Sequence, residues 1–271
     1  MKQGWLGKAV KVDWDSVARA QAANGLPEGE AGPHELYTQT QCLTAFVKGV
    51  EKGRQPSEWK GDGPLILLQT DLWTESVARS RQLLNGALHL AWEKGYFTTY
   101  STTYAMDVSR VTCLMAASGT DAHIVQADIR GLPFQRETFD LIFDPSTIDH
   151  VPFEEAVGVL GQYSQCLRPG GIAVLIFSHQ GGTLQRDSGE TYFVFSPSKV
   201  KAHLRQLGFE TEGEYAICCL NTQPAGILTS KRLHLQRLAF ALFAYLEYAP
   251  LSHYFLGRLA PLYVVIGRKK G

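Results

Sequence analysis

Phe97-Thr98-Thr99-Tyr100-Ser101-Thr102-Thr103-Tyr104-Ala105-Met106-Asp107-Val108-Ser109 and Gln126-Ala127-Asp128-Ile129-Arg130-Gly131-Leu132-Pro133-Phe134 are the most informative segments of the chain. In the first, β-branched and aromatic residues run from Phe97 to Met106 as a strand and stop at an aspartate. His123 to Ala127 reads as the next strand and also stops at an aspartate, with a helix over Val111 to Ala117 between them. On either side of this pair the alternation continues. Leu65 to Leu68 is a short buried-strand run and Glu75 to Glu93 is helical in pattern. Downstream come strand Phe139–Phe143, helix Glu154–Leu167, strand Ile172–Phe177, helix Ser198–Leu207, strand Tyr215–Cys219 and a last strand Leu262–Arg268. Strands alternating with helices predict an α/β fold, a parallel sheet covered on both faces. No repeat of about 20–50 residues recurs, which excludes a solenoid or propeller.

The composition narrows the function classes. The 271 residues carry 26 Lys+Arg against 26 Asp+Glu, so no broad basic face is available for nucleic acid. With 45% hydrophobic and 11% aromatic residues the chain has ample material for a core. Five cysteines (Cys42, Cys113, Cys166, Cys218, Cys219) include no Cys-x-x-Cys pair, so neither a disulfide scaffold nor a metal site is expected and a reducing cytoplasm fits. Met1 to Val10 lacks the apolar core of a secretory signal, and the longest apolar run, Leu238 to Leu246, is about half of a membrane span. The expectation is a soluble protein.

Before the alternating region, residues 1–60 read as an N-terminal helical cap. Asp13 can cap a helix that stops at Asn24-Gly25, and a second helix after Pro33 places Leu36, Leu43, Phe46, Val47 and Val50 on one side. Lys60-Gly61-Asp62-Gly63-Pro64 then marks the boundary to a domain over 61–271.

In an open parallel sheet ligands sit beyond the carboxyl ends of the strands. Asp107 stands there, where a carboxylate accepts two hydrogen bonds from a ribose diol. Asp128 ends the next strand, where it can accept from an exocyclic amine while Ile129, Leu132 and Phe134 cover a flat ring. Each aspartate alone also reads as a helix cap or loop residue. Their recurrence at successive strand ends favours a nucleoside site.

Asp107-Val108-Ser109 and Gln126-Ala127-Asp128 with Leu132-Pro133-Phe134 resemble the second and third motifs of class I S-adenosylmethionine (SAM) methyltransferases. Phe139-Asp140-Leu141-Ile142 is similar to the family's fourth strand, and Cys166-Leu167-Arg168-Pro169-Gly170-Gly171 to the turn before the fifth. Ser196 to Lys199, Leu207-Gly208-Phe209 and Leu262 to Lys269 are similar to the elements that follow. The resemblance covers about 65–271. It implies a Rossmann-like, seven-stranded, mostly parallel sheet in the order 3-2-1-4-5-7-6, SAM as cofactor, and Asp107, Val108, Asp128 and Ile129 as cofactor-binding residues.

The first strand departs from the family pattern. It leads into Gln69-Thr70-Asp71-Leu72-Trp73-Thr74-Glu75, with no glycine. Either Thr70, Asp71, Thr74 or Glu75 replaces backbone contacts to the methionine end, or the pocket has moved to another ligand. The resemblance also places Asp144-Pro145-Ser146-Thr147-Ile148-Asp149-His150 beside the methyl group. His150 is then the candidate base for a hydroxyl acceptor, with Asp149 or Asp144 orienting it, and Asp144 also near the cofactor. His150 reads equally as a packing histidine at a helix start, and His179 is a second candidate at a pocket edge.

The implied activity is methyl transfer to a small-molecule acceptor, lipid-like or polycyclic among the options, at O, N or C. The alternatives are a non-methylating reaction such as cyclisation on the same fold, or a non-catalytic SAM-binding subunit. Specificity is assigned to the cap, with Trp5, Trp14 and Tyr37 as closing aromatics, and to a helical insertion over 221–261 before the last strand. That insertion, with Lys231-Arg232-Leu233-His234 ahead of Leu238–Leu246, reads either as a lid or peripheral membrane helix, or as a buried helix or homodimer contact.

Overall fold

The structure is a computed structural model that describes residues 12–23, 33–53, 65–72, 102–179, 184–185, 190–218 and 261–271. The expected helix Glu75–Glu93, the strand's beginning at 97–101, Trp5, Thr74, Glu75, Cys219 and the 221–261 insertion up to residue 260 lie outside these residues, as does the Tyr37 side chain. In chain order the elements are α1 (Trp14–Ala23), α2 (Pro33–Gly53), β1 (Ile66–Gln69), β2 (Thr102–Asp107), α3 (Arg110–Ala116), β3 (His123–Gln126) and β4 (Phe139–Pro145). A 3-10 turn (Ile148–His150) leads to α4 (Phe153–Cys166) and β5 (Leu167–Ser178), followed by the short strands β6 (Leu184–Gln185) and β7 (Thr191–Tyr192). α5 (Pro197–Gln206), β8 (Phe209–Ile217) and β9 (Leu262–Lys269) complete the described chain.

Seven strands form one sheet in the order β3-β2-β1-β4-β5-β9-β8. Counted within that sheet, this is the expected 3-2-1-4-5-7-6. The first five are parallel, and β9 runs antiparallel between β5 and β8. β6 and β7 pair as a separate antiparallel hairpin that sequence inspection did not anticipate, because two-residue strands leave no alternation to read.

Both faces of the central strands are apolar, as a doubly covered parallel sheet requires. Ile172, Val174 and Ile176 of β5 pack with Leu67, Leu141 and Phe143 against Phe46, Val47 and Val50 of α2. Ala173, Leu175 and Phe177 face the other way, toward Val159, Leu160 and Tyr163 of α4 and Val200 and Leu204 of α5. α3 covers the α2 side farther along, with Cys113 and Ala116 against Ala105 and Leu72. α2 therefore forms a layer on this face of the sheet. Its apolar stripe covers a sheet face that would otherwise be open. Gly49 lets it approach: a methyl group there would overlap Val174 Cγ2.

The turn expected at Gly170-Gly171 is present. Gly170 has φ +80°, and a Cβ on Gly171 would meet the Arg168 carbonyl oxygen at 2.9 Å. β5 nevertheless begins at Leu167, ahead of the expected Ile172, because Leu167 already pairs with Phe139 across an irregular register. β8 is likewise one strand from Phe209 to Ile217. No helix among the described residues is long and apolar enough to cross a membrane.

Candidate active site

The carboxyl ends of β1 to β4 open onto a cavity of about 560 Å³. Thr70 and Asp71 line it after β1, Asp107 and Val108 at the end of β2, Asp128 and Ile129 after β3, and Thr147 and His150 after β4. Trp14 and Val17 of α1 and Thr191 and Tyr192 of β7 close it from above. Residues from four successive strand ends therefore converge, although they are widely separated in the sequence.

At the β2 end, Asp107 Oδ1 accepts the Ser109 amide at 2.8 Å, and Oδ2 accepts the Leu72 amide at 3.3 Å. A carboxylate has about four acceptor sites, so Asp107 retains capacity beyond these bonds. Burial, with a smaller contribution from the nearby Asp15 charge, pushes the carboxyl up to about 6. Asp15 comes from α1. It accepts the Ser109 hydroxyl at 2.8 Å and the Val111 amide at 3.1 Å. α1 itself is started by Asp13, as its sequence predicts: the Asp13 carboxylate accepts the Ser16 amide at 3.2 Å and the Ser16 hydroxyl at 2.6 Å.

Beyond β3, Arg130 forks onto Asp128, with Nη2 to Oδ2 at 2.6 Å and Nε to Oδ1 at 3.0 Å, and its Nη1 reaches Glu155 at 3.2 Å. The guanidinium holds the Asp128 carboxyl below its usual range. Asp128 thus reaches the cavity wall already paired, while Ile129, only 7% exposed, supplies an apolar surface beside it. Gln162 of α4 fixes this loop by accepting the Leu132 amide at 2.6 Å and donating to the Arg130 carbonyl at 2.8 Å. Nothing in the spacing of Gln162 marks that role in advance.

The glycine-free first loop is tied down on several sides. The Thr70 amide donates to the Phe143 carbonyl at 3.1 Å, and the Thr70 and Thr147 hydroxyls lie 3.0 Å apart. Gln69 Nε2 donates to the Asp71 carbonyl at 2.5 Å.

After β4 the chain reverses through Ser146, a non-glycine residue at φ +73°, a strained conformation held by its surroundings. Two buried aspartates provide that hold. Asp144 accepts the Thr147 amide at 2.7 Å, the Ile148 amide at 3.2 Å and the Tyr163 hydroxyl at 2.7 Å. Asp149 accepts the Ser146 hydroxyl at 3.0 Å and the Ser178 amide at 2.7 Å. Burial pushes Asp144 up to about 6 and Asp149 up to about 7. Both are 0% exposed and neither lines the cavity. The structure places them beneath the loop they shape and outside the cavity lining, where catalytic or cofactor contact was expected of them.

His150 does line the cavity. Its Nδ1 lies 3.2 Å from the Thr191 carbonyl oxygen. A carbonyl only accepts, so Nδ1 carries the hydrogen and Nε2 the lone pair of the neutral ring. That orienting partner comes from β7, not from Asp144 or Asp149. The ring also meets Trp14 edge-on, centroids 4.9 Å apart, and Tyr192 at 4.4 Å. His179, the other histidine expected at a pocket edge, lies against Tyr263 and does not line the cavity. Among the described residues no group of three or more His, Cys, Asp or Glu could hold a metal ion.

Residues 85–175 match a family model described as a methyltransferase domain. No curated protein matches the chain. Solved structures share the fold at low identity. A chain from the complex of the Haloferax volcanii Trm112 methyltransferase activator with a methyltransferase is 14% identical, with TM-score 0.58 over 97% of this chain and 100% of that one. Magnesium protoporphyrin IX methyltransferase from Synechocystis, solved with bound SAM, is 12% identical with TM-score 0.54, over 95% and 93% of the two chains. An S-adenosylmethionine-dependent methyltransferase from Mesorhizobium loti is 16% identical with TM-score 0.52, over 86% and 98%. The chain thus matches a methyltransferase-domain model over residues 85–175 and shares the fold and strand order of these S-adenosylmethionine-dependent methyltransferases.

Proposed function

We propose that the protein transfers the methyl group of SAM to a small-molecule acceptor held under α1 and the β6–β7 hairpin. The observation that carries this reading is that Asp107 and His150 line one cavity, a diol acceptor and a proton acceptor on adjoining walls. The residues present fit a nucleoside with a cationic tail. Asp107 keeps acceptor directions for the ribose, Val108 and Ile129 flank a flat base, and the Asp71 carboxylate in the wall suits the ligand's ammonium. Asp71 and Thr70 then replace the backbone contacts that a glycine-rich loop would make. SAM, when bound, supplies a methyl group already activated on a sulfonium, so the protein's tasks are alignment and exclusion of water. Trp14, Val17 and Tyr192 supply the apolar lining against which the acceptor packs, and His150 receives the acceptor's proton at Nε2, held in that tautomer by the Thr191 carbonyl.

The test is incubation of the purified protein with methyl-labelled SAM and a low-molecular-weight cell extract, followed by mass spectrometry. Label in a small molecule, gained as one CH₂ per turnover with equivalent S-adenosylhomocysteine, supports the reading. Label only in macromolecules, or no S-adenosylhomocysteine, overturns it.

A further inference from the structure

The upper wall of the cavity has a composition of its own. Trp14, His150 and Tyr192 form a chain of ring contacts, at 4.9 Å and 4.4 Å, around one corner. Beside that corner stands Glu190, 5% exposed and one residue before the Thr191 carbonyl that orients His150. The remaining surface there is apolar, from Val12, Val17 and Val151. Arg130, the arginine in the described lining, is already engaged by Asp128 and Glu155. The corner therefore combines aromatic rings with a buried carboxylate, and the arginine of the described lining is already paired, an arrangement that attracts a cation.

Resting on the methyltransferase reading above, we propose that the acceptor is an amine that is protonated in neutral water and carried on an apolar body. Glu190 and the rings of Trp14 and Tyr192 draw in the ammonium, and Val12, Val17 and Val151 receive the apolar part. His150 Nε2 removes one proton. The freed nitrogen lone pair forms the new N–C bond as the S–C bond breaks, and the electron pair of that bond stays on sulfur. The products are a methylated ammonium and S-adenosylhomocysteine, and the proton passes from His150 to solvent. An acidic or phosphorylated acceptor would meet only like charge at this corner.

The experiment is calorimetry on the full chain saturated with S-adenosylhomocysteine. It uses a series of aryl- and alkylamines, 2-phenylethylamine among them, each matched with the alcohol of the same skeleton. The expected result is at least one amine binding tenfold or more tighter than its alcohol, with Glu190→Gln abolishing that preference while S-adenosylhomocysteine still binds. If every alcohol binds as well as its amine, or if no amine binds, the proposal is overturned without any variant being needed. A preference that persists in folded Glu190→Gln also overturns it. Failure of S-adenosylhomocysteine itself to bind the wild-type protein would instead defeat the underlying methyltransferase reading.

Discussion

The Ser109 hydroxyl donates to Asp15 Oδ1 at 2.8 Å, joining residues 94 positions apart. Through this bond and the Val111 amide at 3.1 Å, the first described helix is latched onto the start of α3, beside the Asp107 carboxylate. The same helix sets Trp14 against His150. One short helix thus spans both ends of the cavity.

Asp15→Ala removes the acceptor of two hydrogen bonds and should lower unfolding stability by about 1–2 kcal/mol, with a parallel loss of S-adenosylhomocysteine affinity. Asp15→Asn keeps an acceptor without the charge that raises Asp107. Nucleoside binding should weaken as pH falls through about 6, where Asp107 gains its proton, and Asp15→Asn should move that midpoint to lower pH. Calorimetry over roughly pH 5 to 8 measures both, since a carboxyl raised by burial to this extent titrates inside that window. An unmoved midpoint would contradict the coupling.

Stability should respond to pH in a definite direction. Asp107, Asp144 and Asp149 titrate in the folded protein at about 6, 6 and 7, above their ordinary value of 3.8. Between those limits the folded form binds more protons than the unfolded chain, so these groups cost stability when ionised and that cost is relieved as pH falls through 7 to 6. Thermal unfolding should therefore move to higher temperature as pH is lowered from about 7.5 to roughly 5. A monotonic fall over that interval would show that the three carboxyls are not held as described.

His150→Ala should lower kcat by about 10²–10⁴-fold while leaving S-adenosylhomocysteine affinity within a factor of about 2, since the ring contacts Trp14, Tyr192 and Thr191 rather than Asp107. A loss confined to cofactor binding would return His150 to a packing role.

Two substitutions test the frame. Gly49→Ala forces a methyl group into Val174 and should cost about 1–3 kcal/mol as overpacking. Tyr163→Phe leaves Asp144 Oδ2 without the hydroxyl at 2.7 Å inside a fully buried site, and should cost about 1–3 kcal/mol. Chemical denaturation reads both, and near-zero effects would mean that neither contact constrains the packing around it.

The strands and their order were legible because the signals are local: a β-branched run closed by Asp107, another closed by Asp128, and Gly170-Gly171 before β5. Trp14, expected among the closing aromatics, lines the cavity. What escaped the sequence depends on distant pairs. Asp15 acquires its role only once α1 docks on Ser109, and Gln162 only once α4 lies beside the 129–132 loop. The His150 partner was sought among neighbouring aspartates, yet it is a backbone carbonyl of a hairpin too short to leave a pattern. Asp144 and Asp149 carry the residue type of an active site, but the left-handed Ser146 beside them requires buried acceptors, and they serve that need.

The most direct measurement is titration of S-adenosylhomocysteine into the wild-type protein and into Asp107→Ala at about pH 7.5, by calorimetry. The account predicts saturable heat for the wild type and a weakening of about tenfold to a hundredfold on loss of Asp107, the worth of one charge-assisted hydrogen-bond partner at roughly 1.5–3 kcal/mol. No heat from the wild type at millimolar ligand, or equal affinity in the two proteins, would contradict it.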